Sequence, residues 1–223
     1  MDKEYVSGEL FSKLSDVSIY DRSYVNQYPN IKSNCNQIIY NNEPVTIYTL
    51  SIINKSVIFF VKTDHLKFFI TYIMPNIKNK FVLISHNSDL QSGLFTEIIN
   101  NTFLIKWYGQ NMKPDLITHK TVGIPIGLEN AQWNGSDYNI CKKYKPNDKT
   151  ELLYFNFSLQ TNKYRHMVET IISNNGFIKN TTKNWEQYIN ELSTYMFAIS
   201  PEGNGIDCHR VWECIYVGCI PIL

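Results

Sequence analysis

The residues best suited to do chemistry lie together near the end of the sequence, in the run SPEGNGIDCHRVWE at 200–213. Gly203 and Gly205 fall in a predicted turn after an apolar run, and a helix is predicted to begin near Cys208. Backbone N–H groups of an open turn and the positive end of a helix dipole both attract an anion, especially a phosphate. Glycines also let a ligand approach the backbone closely. The sequence therefore predicts an anion-binding loop at 201–206.

Three side chains of the predicted helix extend this chemistry. His209, Arg210 and Glu213 are spaced so that they can share one helical flank. Arg210, in the first turn, could donate paired hydrogen bonds to a diphosphate. Glu213 lies about one turn deeper and could accept hydrogen bonds from sugar hydroxyls. A phosphate near the helix start and a ribose one turn further in is the arrangement that a bound nucleoside diphosphate would need. A plain surface ion pair between Arg210 and Glu213 is the alternative, and Trp212 is expected in the core.

Strands and helices must position this loop, and short apolar runs do alternate with amphipathic stretches along the chain. The predicted strands are 57–61, 80–85, 102–109, 121–127, 151–158, 194–200 and 219–223. The predicted helices are 64–72, 90–100, 163–174, 184–192 and 208–217, with Asp207 as the cap of the last one. This alternation predicts an α/β fold with mostly parallel sheets, in which ligands lie at the carboxyl ends of strands.

A polar, charged segment at 137–150, interrupted by Pro146, has the composition of a linker. The 223 residues are enough for one large domain or two small ones, and 43% of them are hydrophobic. We therefore expect two α/β domains, an N-terminal one at 1–148 and a shorter C-terminal one at 149–223.

Composition argues against several classes of protein. The 21 basic and 20 acidic residues nearly cancel, which is unlike a nucleic-acid scaffold. The acidic N-terminus does not resemble a signal peptide, and no stretch approaches the ~20 apolar residues of a membrane span. We therefore expect a soluble, cytoplasmic chain. The five cysteines are odd in number and form no C-x-x-C pair, which predicts reduced, buried thiols rather than disulfides or a zinc site.

At its end the sequence resembles the exostosin-like glycosyltransferases, glycosyltransferase family 47 and its viral and bacterial relatives. The residues that carry this resemblance are Ser200, Pro201, Gly203, Gly205, Asp207, His209, Arg210, Trp212, Glu213, Gly218, Ile220 and Pro221. Weaker similarity occurs at 60–69, 81–89, 106–111, 123–129 and 154–165. The resemblance covers most of the chain from about residue 55 onward and is specific at the end.

The resemblance implies a GT-B architecture, in which two Rossmann-like domains face a cleft. It implies an inverting transfer from a nucleotide-sugar, such as a UDP-linked one, to a hydroxyl of a glycan or glycoconjugate. No metal or other cofactor is implied, in agreement with the lack of a D-x-D motif. Arg210 and the loop backbone would hold the diphosphate and Glu213 the ribose. The substrate-binding residues implied are Asn162, Arg165, Gly203, Asn204, Gly205, His209, Arg210 and Glu213.

An inverting transfer also needs a base that takes the proton of the acceptor hydroxyl. Asp64, His86 and Asp89 each follow a predicted strand of the acceptor-side domain, and His86 and Asp64 are the favoured candidates. Each has an ordinary alternative: a helix cap for Asp64, a polar loop residue for His86 and a turn former for Asp89.

The chain departs from the family after its last strand. The relatives continue past this point, whereas here the sequence ends at Leu223. We expect a short natural product, a fragment, or a partner that covers the C-terminal strand. The family's animal members carry a membrane anchor, and its absence here favours a bacterial or viral setting. A non-catalytic nucleotide- or glycan-binding module and an unrelated α/β phosphate-binding enzyme are the alternative functions.

Overall fold

The computed structural model describes residues 6–27, 36–40, 51, 53–130, 148–181 and 183–223. The chain divides into two compact units, Met1–Ile126 and Gly127–Leu223. This division falls before the linker expected at 137–150, most of which lies outside the described residues. The domain boundary at 148–149 therefore stays a prediction.

A parallel sheet of six strands forms the first unit, in the order β2-β1-β3-β4-β5-β6. Its strands are β1 (Val17–Asp21), β2 (Asn36–Tyr40), β3 (Ile58–Lys62), β4 (Phe81–His86), β5 (Leu104–Gln110) and β6 (Thr121–Ile124). Lys62 is in register with His86, and Ser85 with Gly109. The carboxyl ends of β3, β4 and β5 therefore lie side by side.

The helical elements of the first unit are short. Those described over their whole length are α1 (Gly8–Lys13), α2 (Arg22–Gln27), α3 (Leu66–Phe68) and α4 (Thr96–Ile99). The helix predicted at 64–72 is helical but irregular, because α3 is flanked by a 3₁₀ turn and a π turn. The helix predicted at 90–100 is wrong over most of its length. Gly93 has a φ of 91°, which a helix does not accommodate, and only α4 forms.

Both faces of the central strands are buried in the first unit. Phe59, Phe60 and Val61 of β3 are fully enclosed, as expected for a parallel strand with cover on both sides. The rings of Phe59 and Phe81 pack edge to face at 5.9 Å. Trp107 is enclosed too, and its indole N–H donates to Ser85 Oγ over 2.8 Å. This packing fixes the strands whose ends carry the predicted catalytic residues.

In the second unit, a parallel sheet of three strands has the order β7-β8-β9. The strands are β7 (Glu151–Tyr154), β8 (Tyr195–Ile199) and β9 (Ile220–Ile222), and the helices are α5 (Tyr164–Asn174), α6 (Trp185–Ser193) and α7 (His209–Val217). Each predicted element is found, although β7 ends four residues before the predicted strand does. Together the two sheets confirm the α/β class with parallel strands, consistent with a Rossmann-like fold.

The last strand, β9, has limited cover. Ile220 and Ile222 are 57% and 42% exposed, and β9 pairs only with β8 among the described strands. This agrees with the expected shortage of cover, and the nature of any covering element stays a prediction. Within the described residues, no helix combines the length and apolar character that a membrane crossing requires.

Candidate functional site

The predicted anion loop connects β8 to α7, and the helix begins where the sequence placed it. The N-cap residue is Cys208, with no side-chain cap hydrogen bond. The predicted cap, Asp207, is wrong because its Oδ2 instead accepts from Nε1 of the half-buried Trp212 over 2.8 Å. The side chain of Cys208 therefore gives the first-turn N–H groups of α7 no acceptor, and such N–H groups attract an anion.

Arg165 holds the carbonyl groups of this loop. Its guanidinium donates to Glu202 O at 2.8 Å, Pro201 O at 2.9 Å and, outside the loop, Ser158 O at 2.9 Å. The side chain is buried, with the residue 6% exposed. Since these contacts use three of the five N–H groups of a guanidinium, the contacts favour a role for Arg165 in shaping the loop. Its predicted role as a ligand contact stays a prediction.

Asn162 binds a further carbonyl of the loop, and we call Arg165 and Asn162 together the clamp. Its Nδ2 donates to Gly203 O over 3.1 Å. A Cβ on Gly203 would lie 3.1 Å from Arg165 Nη2, so the glycine makes room for the guanidinium. The absence of a side chain at Gly203 therefore leaves space for Arg165. The sequence did not suggest this role for the glycine.

The clamp orients the loop's N–H groups. In a planar trans peptide, the N–H points opposite to the C=O of the preceding residue. With the carbonyls of 201–203 directed at Arg165 and Asn162, the N–H groups of 202–204 point the other way. Those of Glu202 and Gly203 donate no hydrogen bond within the described residues. N–H groups that converge in a turn form the kind of concavity that binds anions.

Arg210 differs from Arg165 in its partners. Its Nε is enclosed and has no hydrogen-bond partner among the described residues. Burial lowers the pKa of Arg210, but the adjacent Tyr188 and Glu213 outweigh burial and raise the pKa above its ordinary value. The half-buried guanidinium is therefore charged, and its enclosed Nε lacks a hydrogen bond, which is unfavourable for a polar group.

Glu213 is buried one turn beyond Arg210, with the residue 6% exposed. Its Oε2 accepts from the hydroxyl of Tyr188 over 2.5 Å. Burial raises the pKa of Glu213, and this hydrogen bond and the charge of Arg210 offset only part of the increase. The alternative of a surface ion pair is wrong, because Glu213 is buried and no Arg210–Glu213 ion pair occurs among the described residues. Sequence reasoning missed Tyr188. Its position in α6 gives no indication that its hydroxyl binds Glu213, which lies on another helix.

His209 is tied to the start of the second unit. Its Nδ1 lies 2.8 Å from Gly127 O. A carbonyl oxygen only accepts, so Nδ1 carries the proton and, in the neutral ring, Nε2 carries the lone pair. His209 therefore anchors α7 to the segment 127–130. Asn204 and Gly205 lie in the loop as predicted, Asn204 exposed and Gly205 partly so.

In the first unit, His86 ends β4 and is only 2% exposed. Its Nε2 lies 2.9 Å from Pro125 O and its Nδ1 2.9 Å from Asn87 Oδ1. The ring of Phe11 packs 5.2 Å from the imidazole. A general base needs an accessible lone pair, and both ring nitrogens are engaged. The contacts favour a structural role, and the predicted catalytic role is untested.

Asp64 lies in the 3₁₀ turn Thr63–His65 after β3, whose N-cap is Lys62, so Asp64 is not the cap. Its carboxylate forms an ion pair with Lys62. Burial raises the pKa of Asp64, but hydrogen bonds from Lys62 and Ser88 and the charge of Lys62 bring the pKa below its ordinary value. Such a carboxylate is a weak base. Asp89 lies in an exposed bend, as expected of a turn former.

Two asparagines at the same edge of the first sheet were missed by sequence reasoning. Asn87 follows β4 with a φ of 60°, and Asn111 follows β5 with a φ of 54°. Left-handed conformations in residues other than glycine are uncommon and concentrate at functional sites. An Asn two residues after each of the predicted strands 80–85 and 102–109 was the available signal.

Within the described part of the chain, no group of three His, Cys, Asp or Glu residues is placed to hold a metal ion.

A scan of protein-family models finds no match to the chain, and a search of curated proteins finds none either.

Proposed function

We propose that this chain is a glycosyltransferase of the GT-B type. It binds a nucleoside diphosphate sugar at the loop 201–206 and the first turns of α7. It transfers the sugar, with inversion, to a hydroxyl of a glycan or glycoconjugate. The observation that carries the proposal is the charged, incompletely hydrogen-bonded Arg210 in the first turn of a helix whose N-cap side chain makes no cap hydrogen bond. The resemblance of 200–221 to exostosin-like enzymes supplies the reaction class.

The proposed reaction makes one bond and breaks one. The acceptor oxygen attacks the anomeric carbon while the bond from that carbon to the diphosphate breaks. The nucleoside diphosphate leaves with the electron pair, and a base takes the acceptor's proton. Arg210 and the positive end of α7 stabilise the charge that develops on the leaving group, which is the part a bound metal plays in other transferases. Glu213 accepts hydrogen bonds from the ribose.

A non-catalytic nucleotide- or glycan-binding module is the second candidate, and a specific observation favours it. Both ring nitrogens of His86 are engaged, and the pKa of Asp64 is lowered. A general base works best with a pKa near the operating pH and a free lone pair. Neither favoured base meets both conditions in this structure.

Calorimetric titration of the full chain with uridine and guanosine diphosphates, each with and without a chelator, tests the proposal. We expect binding that the chelator leaves unchanged. Arg210→Ala should weaken it about 10- to 100-fold, the range for a lost charge-assisted hydrogen bond. Arg22→Ala is the matched control, since Arg22 is an exposed arginine of the first unit. We expect its affinity to equal that of the wild type.

Two results would contradict the proposal: a folded Arg210→Ala variant that binds like the wild type, or a wild type that binds neither nucleotide. Hydrolysis of nucleotide-sugars then separates the two candidates. Turnover favours the transferase, and binding without turnover of any donor favours the module.

A further inference from the structure

We infer that Tyr188 is a positioning residue that fixes the carboxylate of Glu213 so that one of its oxygens is presented to the ligand. The inference rests on the proposed function, in which Glu213 accepts hydrogen bonds from ribose hydroxyls. Tyr188 belongs to α6, outside the loop and helix that carry the predicted site.

The hydrogen bond between Tyr188 and Glu213 is short and directed. The phenol O–H donates to Oε2 over 2.5 Å. Burial and the nearby carboxylate raise the pKa of Tyr188 well above its ordinary value, so the phenol keeps its proton and stays a donor. Oε2 is thereby occupied and the carboxylate cannot rotate freely.

The other carboxylate oxygen is in a different position. Oε1 of Glu213 has no hydrogen bond within the described residues and is not among their enclosed, unpartnered atoms. It is therefore the oxygen that can reach a ligand. An acceptor with one oxygen held by the protein and the other open is pre-organised for hydroxyl groups, which lowers the entropic cost of binding.

Aromatic packing, in addition to the hydrogen bond, fixes the ring of Tyr188. Its ring lies 5.8 Å from that of Tyr154 and 5.8 Å from that of Trp185. A phenylalanine keeps these ring contacts and removes only the hydroxyl. Tyr188→Phe therefore separates the polar contacts of the hydroxyl, with Glu213 and with Arg210, from the aromatic packing.

The test compares ligands with and without the ribose hydroxyl groups. Wild type, Tyr188→Phe and Tyr195→Phe are titrated with uridine diphosphate and with its 2′,3′-dideoxy analogue. We expect the wild type to prefer the ribose form about 10-fold. In Tyr188→Phe the preference should fall to about 2-fold. Because the hydroxyl also contacts Arg210, a loss common to both ligands reports on Arg210, and only the ratio of the two affinities reports on Glu213. Tyr195 is the control, because its hydroxyl accepts from Asn180 instead, and its variant should keep the wild-type preference.

The pH dependence gives a second readout. The titratable groups around Glu213 are Tyr188 from α6, Glu129 from the segment 127–130, and Cys208, His209, Arg210 and Cys214 from α7 and its N-cap. Loss of the hydrogen bond from Tyr188 removes a contribution that lowers the pKa of Glu213. The acidic loss of ribose preference should therefore begin at a higher pH in Tyr188→Phe than in the wild type.

The outcomes separate the two claims. Equal weakening of both ligands in Tyr188→Phe, or an undiminished ribose preference, would overturn the positioning role while leaving the nucleotide site in place. A wild type that binds neither nucleotide would overturn the proposed function and this inference together. A wild type that binds both equally would show that Glu213 does not read the ribose.

Discussion

Asp64 in the first unit and Glu213 in the second are both carboxylates close to a cationic side chain, yet their surroundings differ. Asp64 is partly exposed and paired with Lys62, and its pKa is lowered. Glu213 is buried and hydrogen-bonded to a phenol, and its pKa is raised. The contrast shows that a nearby cation does not set the direction of the shift, since burial prevails at Glu213 and not at Asp64.

The two arginines of the second unit show the same contrast within one site. Arg165 donates to three carbonyl oxygens, whereas Arg210 has an enclosed Nε without a partner. The first arginine completes the protein's own structure. The second is charged and has a donor that the protein does not satisfy. This difference favours a structural role for Arg165, and it agrees with the ligand contact that we propose for Arg210.

The largest effect is expected from Arg165→Ala. The substitution leaves the carbonyls of Ser158, Pro201 and Glu202 without their donor, so we expect a loss of about 3 kcal/mol in the free energy of unfolding. Chemical denaturation of the full chain measures it. Arg22→Ala, at an exposed position, should change stability by less than about 0.5 kcal/mol.

Binding data make this comparison of the arginines sharper. Arg210→Ala should lose nucleotide affinity with little loss of stability, the reverse of Arg165→Ala. If Arg165→Ala kept wild-type stability but lost the nucleotide, Arg165 would be a ligand contact, as the resemblance implies.

A smaller loss of stability is expected when alanine replaces either of two glycines that adjoin the candidate site residues. A Cβ on Gly8 would lie 1.7 Å from Asn87 Oδ1 and 2.7 Å from His86 Nδ1, whereas one on Gly203 would lie 3.1 Å from Arg165 Nη2. Gly8→Ala must displace a hydrogen-bonded pair, so we expect a loss of about 2 kcal/mol, against less than about 1 kcal/mol for Gly203→Ala.

Thermal unfolding of these variants is compared with that of Gly123→Ala, whose added Cβ would meet only Met112 at an ordinary 3.6 Å. Equal destabilisation by Gly8→Ala and Gly123→Ala would mean that the end of β4 is not packed as tightly as the contacts indicate.

Sequence patterns predicted the strands that are apolar runs bounded by turns, such as β3 and β4. They did not reveal β1, although Val17 and Ile19 are fully buried. Between these two residues lies Ser18, also buried, whose hydroxyl is 2.7 Å from that of Ser12. In the sequence, a serine that hydrogen-bonds to another buried hydroxyl cannot be distinguished from a solvent-facing serine. The pattern of β1 therefore did not indicate a buried strand.

The candidate site shows the same limit. The start of α7 and the shared flank of Arg210 and Glu213 follow from local spacing, which the sequence displays directly. The partners of Glu213 and of the loop carbonyls come from α6, from α5 and from Asn162 just before α5, so they depend on how these segments pack around the sheet. Spacing within one element carries no information about such contacts.

The smallest effect we predict is a difference in pH dependence between the two carboxylates. The folded-state pKa of Glu213 lies above its unfolded value, so the folded protein holds a proton that the unfolded chain releases. Stability therefore falls as pH rises from the ordinary glutamate pKa to the raised one. Glu213→Gln cannot ionise and keeps an acceptor for Tyr188, so it should become more stable relative to wild type across that window.

Asp64 should behave in the opposite way. Its folded-state pKa is lowered, so its contribution is present above the ordinary aspartate pKa and is lost as pH falls through the lowered one. Asp64→Asn should therefore become less stable relative to wild type as pH rises through the acidic window. Unfolding free energies of the three proteins, measured by chemical denaturation between pH 3 and 8, give both slopes. Parallel curves for Glu213→Gln and wild type would mean that Glu213 does not lie in a buried environment that disfavours its charge, which its proposed ligand role requires.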